Sequence, residues 1–231
     1  GSPSHPLQLI NDSNIKDAVL LWVTDEKKAR TTYGDISNWN VSQVTNMSTL
    51  FTGKWDKAFA KFNGNISNWD VSNVTNMQNM FYGASSFNQD ISNWNVSKVN
   101  TMKGMFEDAS SFNQDLSNWN VSNVNTMEGM FFQALKFNKP LNNWDVSKVE
   151  SMGSMFQYAS SFNQDLSKWD VSNVIVMNAM FHGATNFNQD ISNWKVSKVT
   201  DMSQLFYNAQ NFNQDFDSQP WSDKSKARTI L

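Results

Sequence analysis

One phrase recurs along this chain and fixes most of what it can become. Residues 87–111 read FNQDISNWNVSKVNTMKGMFEDASS and return almost letter for letter as FNQDLSNWNVSNVNTMEGMFFQALK at 112–136. Tryptophans at 39, 69, 94, 119, 144, 169 and 194 mark seven copies; the first gap is 30 residues and every later gap is 25. A unit this small cannot bury its own apolar face, so it must stack on its neighbours.

Within one unit the apolar residues are Ile91, Trp94, Val96, Val99, Met102, Met105, Phe106, Ala109 and Phe112. Ile91, Trp94, Val96 and Val99 follow the leucine-rich-repeat spacing, with Trp in a leucine slot. The alternation through Asn93–Trp94–Asn95–Val96–Ser97 predicts a short strand, and Met102, Met105, Phe106 and Ala109 fall on one helical face. The expectation is an α/β fold. It is a leucine-rich-repeat-like right-handed solenoid of seven strand–helix coils, with a parallel sheet and an N-terminal helical cap. The tryptophans then form a column of core spacers rather than a ligand cage.

The units carry invariant polar residues too. Asn63, Asn88, Asn113, Asn138, Asn163, Asn188 and Asn213 never change. They are expected to be buried and bonded to the backbone of the adjacent coil. The row Asp90, Asp115, Asp165 and Asp190 resembles a set of calcium carboxylates, but its strict period reads better as turn-forming residues. No metal or other cofactor is expected.

Both ends depart from the period. Residues 1–34 hold a GSP opening that reads as a tag scar, leaving room for a lost leader or lipid anchor, and then a helical cap. Ile15, Ala18, Val19 and Trp22 share a helical face there, and a second short helix follows from Thr24–Asp25. The repeats span 35–216. The tail, 217–231, is expected to close the last coil through Pro220 and Trp221.

Composition excludes much. The net charge is −3 with no basic stripe, which argues against nucleic acid; cysteine is absent, so disulfides and thiolate metal sites are impossible. No apolar run has transmembrane length. His182 sits in a slot held elsewhere by Tyr82, Glu107, Phe132, Gln157 and Tyr207, which reads as exposed. No nucleophile triad or phosphate loop accompanies it, and no enzyme activity is expected.

A ligand would meet the outward strand face. One ladder there is Asn38, Asn68, Asn93, Asn118, Asn143, Lys168 and Asn193; the next is Asn40, Asp70, Asn95, Asn120, Asp145, Asp170 and Lys195; a third is serine throughout. Such a wall suits peptide backbone or sugar hydroxyls. The same residues also serve simply to keep the face soluble. Breaks in the pattern single out Lys168, Asp170 and Lys195, with Ile175 and Val176 as apolar residues in a polar slot. The five-residue insertion in the first unit adds Lys54, Trp55, Lys57 and Phe59.

The phrases FNQDISNWNVSKV and NWDVSNVTNM and the M-x-x-M-F step resemble the repeat of BspA-like surface proteins over residues 35–216. IKDAVLLWVTDEKKARTTYGDISNW resembles the leader before the first repeat of such proteins. The resemblance implies a leucine-rich-repeat-like module for adhesion or recognition outside the cell or on its surface, with no catalytic residue. The partner expected is a peptide or protein segment, or a cell-surface glycan. A ligand-free spacer role and ice binding are the other readings, the latter disfavoured by a face of Asn, Asp and Ser. No membrane insertion is expected of this segment, and end-to-end pairing of two copies is a further expectation.

Overall fold

The computed structural model describes residues 6–215 and Trp221. The chain opens with two helices, α1 (Ile15–Thr24) and α2 (Glu26–Tyr33). Ile15, Ala18, Val19 and Trp22 are the buried face of α1, as their spacing predicts. Asp25 caps α2 by accepting from the Lys28 N–H, and Gly34 ends it with φ near 83°.

Asp12 ties this cap to the first coil. Its carboxylate accepts from the Thr45 N–H (2.8 Å), the Thr45 hydroxyl (2.6 Å) and the Asn46 N–H (3.1 Å). In later coils the Thr45 slot donates to the preceding coil's carbonyl: Thr75 to Thr45, Asn100 to Thr75, Asn125 to Asn100. Asp12 therefore stands in for the backbone of a coil that is not there.

The repeats stack, but not as strand and helix. The expected parallel sheet is reduced to bridges one residue long, running through Asn46, Asn76, Thr101, Thr126, Ser151, Val176 and Asp201. Trp94 and Val96 do point inward, yet turns close on either side of them. Trp94 N–H bonds to Ile91 O, and Val99 N–H to Val96 O. Too little extended chain remains between these turns for a strand.

The expected helix over Met102–Ala109 is a run of consecutive turns. Gly104 (φ 62°) and Asp108 (φ 58°) are left-handed, and every unit from the second to the seventh places such residues four apart, which no α-helix tolerates. The N–H groups split between two kinds of partner. Met105 and Glu107 bond three residues back, to Met102 and Gly104. Met102, Gly104, Phe106 and Asp108 instead bond to Thr126, Glu128, Met130 and Phe132 of the next coil. A four-residue turn repeat buries i, i+3, i+4 and i+7 just as a helix does, so the spacing alone does not separate them.

Aromatic columns fill the core. Trp94, Trp119, Trp144 and Trp169 stack in parallel with ring centroids 6.4–6.5 Å apart, tilted by only 2–3°. Each indole N–H also bonds to the carbonyl of the preceding unit's Ile or Leu, as Trp119 does to Ile91 at 3.0 Å. Two phenylalanine columns run beside them, with Phe106 and Phe112 stacked at 4.1 Å within one unit. Trp221 joins the array: it is fully buried and its indole N–H reaches Ile191 O at 3.2 Å, which continues the register by one coil. Pro220 lies outside the described residues.

The polar rows act between coils. Asn88, Asn113, Asn138, Asn163, Asn188 and Asn213 each donate a backbone N–H to the amide oxygen of the preceding asparagine, at 2.9–3.0 Å. They contact neighbouring backbone as expected but are exposed or half-buried, not buried, because the ladder runs along the outside of the stack. The Asp row closes turns: Ser92 donates to Asp90, Ser117 to Asp115, Ser167 to Asp165 and Ser192 to Asp190. A further row alternates Asn73, Lys98, Asn123, Lys148, Asn173 and Lys198. Each Lys ammonium donates to the preceding Asn carboxamide, for example Lys98 to Asn73 at 3.0 Å.

Candidate functional site

The predicted polar wall is present, made of turns rather than strands. Asn68, Asn93, Asn118, Asn143, Lys168 and Asn193 are exposed, as are Asp70, Asn95, Asn120, Asp145, Asp170 and Lys195. Much of its chemistry is already engaged. Asp70, Asn95, Asn120, Asp145 and Asp170 each accept the N–H of the serine two residues on, at 3.0 Å. The bonds from Ser172 hold the Asp170 carboxyl below the usual range, with Lys195 adding to the effect; those from Ser72 do the same for Asp70. These side chains shape the turn first, so replacing them with alanine would disturb the backbone.

Ile175 and Val176 do not extend this wall. A turn closed by Val174 N–H on Val171 O separates them from Lys168 and Asp170. Ile175 is 42% exposed, whereas Val176 is half-buried and is itself the bridging residue between Ser151 and Asp201.

A second surface carries more varied chemistry. It is the column Tyr82, Glu107, Phe132, Gln157, His182 and Tyr207, with the adjacent column Gly83, Asp108, Gln133, Tyr158, Gly183 and Asn208. The adjacent column is left-handed throughout, φ 56–73°. His182 is buried rather than exposed, because it lies between Tyr158 (5.0 Å) and Tyr207 (5.1 Å). The Gln157 side-chain amide lies 3.0 Å from the His182 Nδ1. Burial lowers the pKa of that ring. Phe132 meets Tyr158 edge to face at 5.8 Å, which makes one continuous aromatic row over four coils. Gly183 makes this possible: a Cβ there would collide with the Tyr158 ring.

The first-unit insertion closes the other end of the column. Phe59 packs into the core against Phe51, while Trp55 stays 65% exposed with its ring edge-on to Tyr82 at 5.5 Å. Lys54 bonds through its N–H to Tyr82 O and pairs through its ammonium with Asp108 at 3.7 Å. Beside it, Glu107 is pushed up to about 7, first by burial and then by the Asp108 charge. Burial raises Asp108 as well, against the pull of Lys54. Sequence reading met this column only as a variable slot. The signal it held was aromatic, amide and carboxylate residues succeeding one another directly after the constant Phe81, Phe106, Phe131, Phe156, Phe181 and Phe206.

Among the described residues there is no cluster of three metal-ligating side chains, and no helix is long and apolar enough to cross a membrane. The fold and surface define a repeat protein of stacked 25-residue turns, with a constant aromatic core and one variable face. The chain matches the family described as Mycoplasma protein of unknown function, DUF285, over residues 23–144 and 135–230, and it belongs to that family. No curated protein matches it.

Proposed function

We propose that this chain is a non-enzymatic recognition and adhesion module of the BspA-like kind, working outside the cell or on its surface, that binds a peptide or protein segment. The observation that supports this reading most is the variable column. Tyr, Trp and Phe are the residue types enriched at protein interfaces and their hot spots. Here they are concentrated in one row that crosses several coils, on a scaffold held constant by its core. The ligand is placed on this row rather than on the polar wall, because the wall's oxygens are committed to turns.

A displayed random-peptide selection on the immobilised chain tests this, run beside the variant Tyr158→Ser/Tyr207→Ser. Both rings are at least 38% exposed, so the fold should survive, which thermal unfolding checks. The expected result is a consensus peptide whose binding weakens at least ~10-fold in the variant. Absence of any consensus, or a consensus indifferent to both tyrosines, would overturn the reading. Loss on Asp145→Asn/Asp170→Asn instead would return the site to the polar wall.

A further inference from the structure

We infer that Asn63 is a site of spontaneous covalent modification, where the side-chain amide is lost through a succinimide closed by the backbone nitrogen of Gly64. Asn63–Gly64 is the only Asn–Gly step in the chain. At the same place in the ladder, glutamine follows Asn88, Asn113, Asn163, Asn188 and Asn213, and lysine follows Asn138. The fold therefore holds one reactive asparagine beside six ladder asparagines that carry a bulkier next residue.

Ring closure needs an open nucleophile, an activated carbonyl carbon and a leaving group free to depart. Gly64 supplies the first. Without a Cβ, it leaves the approach to its nitrogen unhindered, and its N–H donates to no acceptor among the described residues. In the later coils a side chain springs from the residue that would attack. Those of Gln114, Gln164, Gln189 and Gln214 lie along the ladder, bonded to the asparagine oxygen of the coil before. The second coil supplies the activation. Asn88 N–H donates to Asn63 Oδ1 at 2.9 Å, and a donor there stabilises the negative charge that builds on this oxygen when Cγ becomes tetrahedral. The same rung recurs up the stack, so the following residue is what sets Asn63 apart. Asn63 Nδ2 has no partner among the described residues. Asn63 is exposed, residues 62–65 belong to no helix or bridge, and the pair lines the open depression between the cap and the first coil.

The Gly64 N–H gives its proton to hydroxide, its nitrogen bonds to Asn63 Cγ, the Cγ–Nδ2 bond breaks and ammonia departs. Water then opens the ring at one of its two carbonyls. Attack at Cγ leaves aspartate at position 63, whose carboxylate still accepts from the Asn88 N–H. Attack at the main-chain carbonyl leaves isoaspartate, which routes the backbone through Cβ and Cγ and so lengthens it by one methylene. That displaces both groups by which Asn63 holds the second coil: Oδ1, and the carbonyl that accepts from Gln89 Nε2 at 2.9 Å. Either product also adds a negative charge to a depression already lined by Glu26 and Asp35.

Incubation of the folded full chain in mildly alkaline buffer tests this, followed by peptide mapping with mass spectrometry and enzymatic methylation of isoaspartate. The expected result is amide loss at position 63 at least ~10-fold faster than at any other ladder asparagine, with isoaspartate among the products. Gly64→Gln should bring position 63 down to the rate of the others. Its Cβ would stand 2.7 Å from the Phe62 ring, so a second variant guards against misfolding. Gln114→Gly, at a half-buried position in a regular coil, should create a new site at Asn113. Amide loss spread evenly over the ladder would overturn the site. So would an Asn63 that stays intact while other asparagines react, or a Gln114→Gly chain that keeps the Asn113 amide.

Discussion

Removal of one mid-stack indole, Trp119→Ala, tests whether the tryptophan column is structural. Trp119 is 3% exposed, stacks on Trp94 and Trp144, and donates its indole N–H to Ile91 O. Emptying a buried aromatic site costs about 3–5 kcal/mol. Each lost ring pair adds about 0.5–1.5 kcal/mol, and the lost indole hydrogen bond about 0.5–1.5 kcal/mol, since Ile91 O still accepts from the Trp94 N–H. These contributions overlap, so the expected loss is about 4–6 kcal/mol. Trp119→Phe keeps a ring and loses the indole bond to Ile91 O, which still accepts from the Trp94 N–H, and should cost about 0.5–1.5 kcal/mol for that bond. Urea unfolding followed by far-ultraviolet circular dichroism measures both. Because coils contact only their neighbours, the alanine variant should also lower the apparent m-value as the two halves unfold separately. A loss below about 2 kcal/mol for Trp119→Ala would refute the column as the source of cohesion, and so would equal losses for Ala and Phe.

Asp12→Ala should cost about 1–2 kcal/mol at neutral pH by stripping the first coil of its acceptor. Burial works against the Asp12 charge, but the bonds from Thr45 and Asn46 outweigh it and hold the pKa low. That stability is present above the ordinary carboxylate range and lost as pH falls, so wild type and variant should converge in acid. Glu107 behaves in the opposite sense: with its pKa raised from 4.5 to about 7, ionisation costs folding energy as pH rises through that interval. Glu107→Gln should therefore match wild type near pH 4 and exceed it near pH 8, by only about 1 kcal/mol because the side chain is half-exposed. Asp170→Ala should lower the melting temperature more than Asp170→Asn, since asparagine keeps the bond from Ser172.

The parts legible in sequence were those that depend on which side a residue faces. The α1 face, the tryptophan column, the turn-closing Asp row and Trp221 all follow from period and polarity. The path of the backbone between them did not. Met102, Met105, Phe106 and Ala109 satisfy a helix and a four-residue turn repeat equally well. The residues that decide between these are left-handed non-glycines such as Asn79, Ser154 and Ala179, whose identity does not announce a positive φ. His182 was misread for a related reason. Variation in a slot records that the scaffold tolerates change there, whereas burial is set by the neighbours one coil away, Tyr158 and Tyr207.

The hydrogen bonding of this stack bears directly on where recognition can reside. In a helix a coil satisfies its own backbone; here alternate N–H groups depend on the next coil, so every coil must hold the same path to within hydrogen-bond tolerance. That requirement freezes the aromatic core, the left-handed positions and the asparagine ladder together. Freedom to diversify survives in two places: side chains that project from the turns without touching the ladder, and segments where the period itself is interrupted. The Tyr82–Tyr207 column is the first, and the cap with its adjoining insertion is the second. Both are where the chemistry departs from the repeated phrase, and on the function proposed above the length of the column would tie the span of a bound segment to the number of coils.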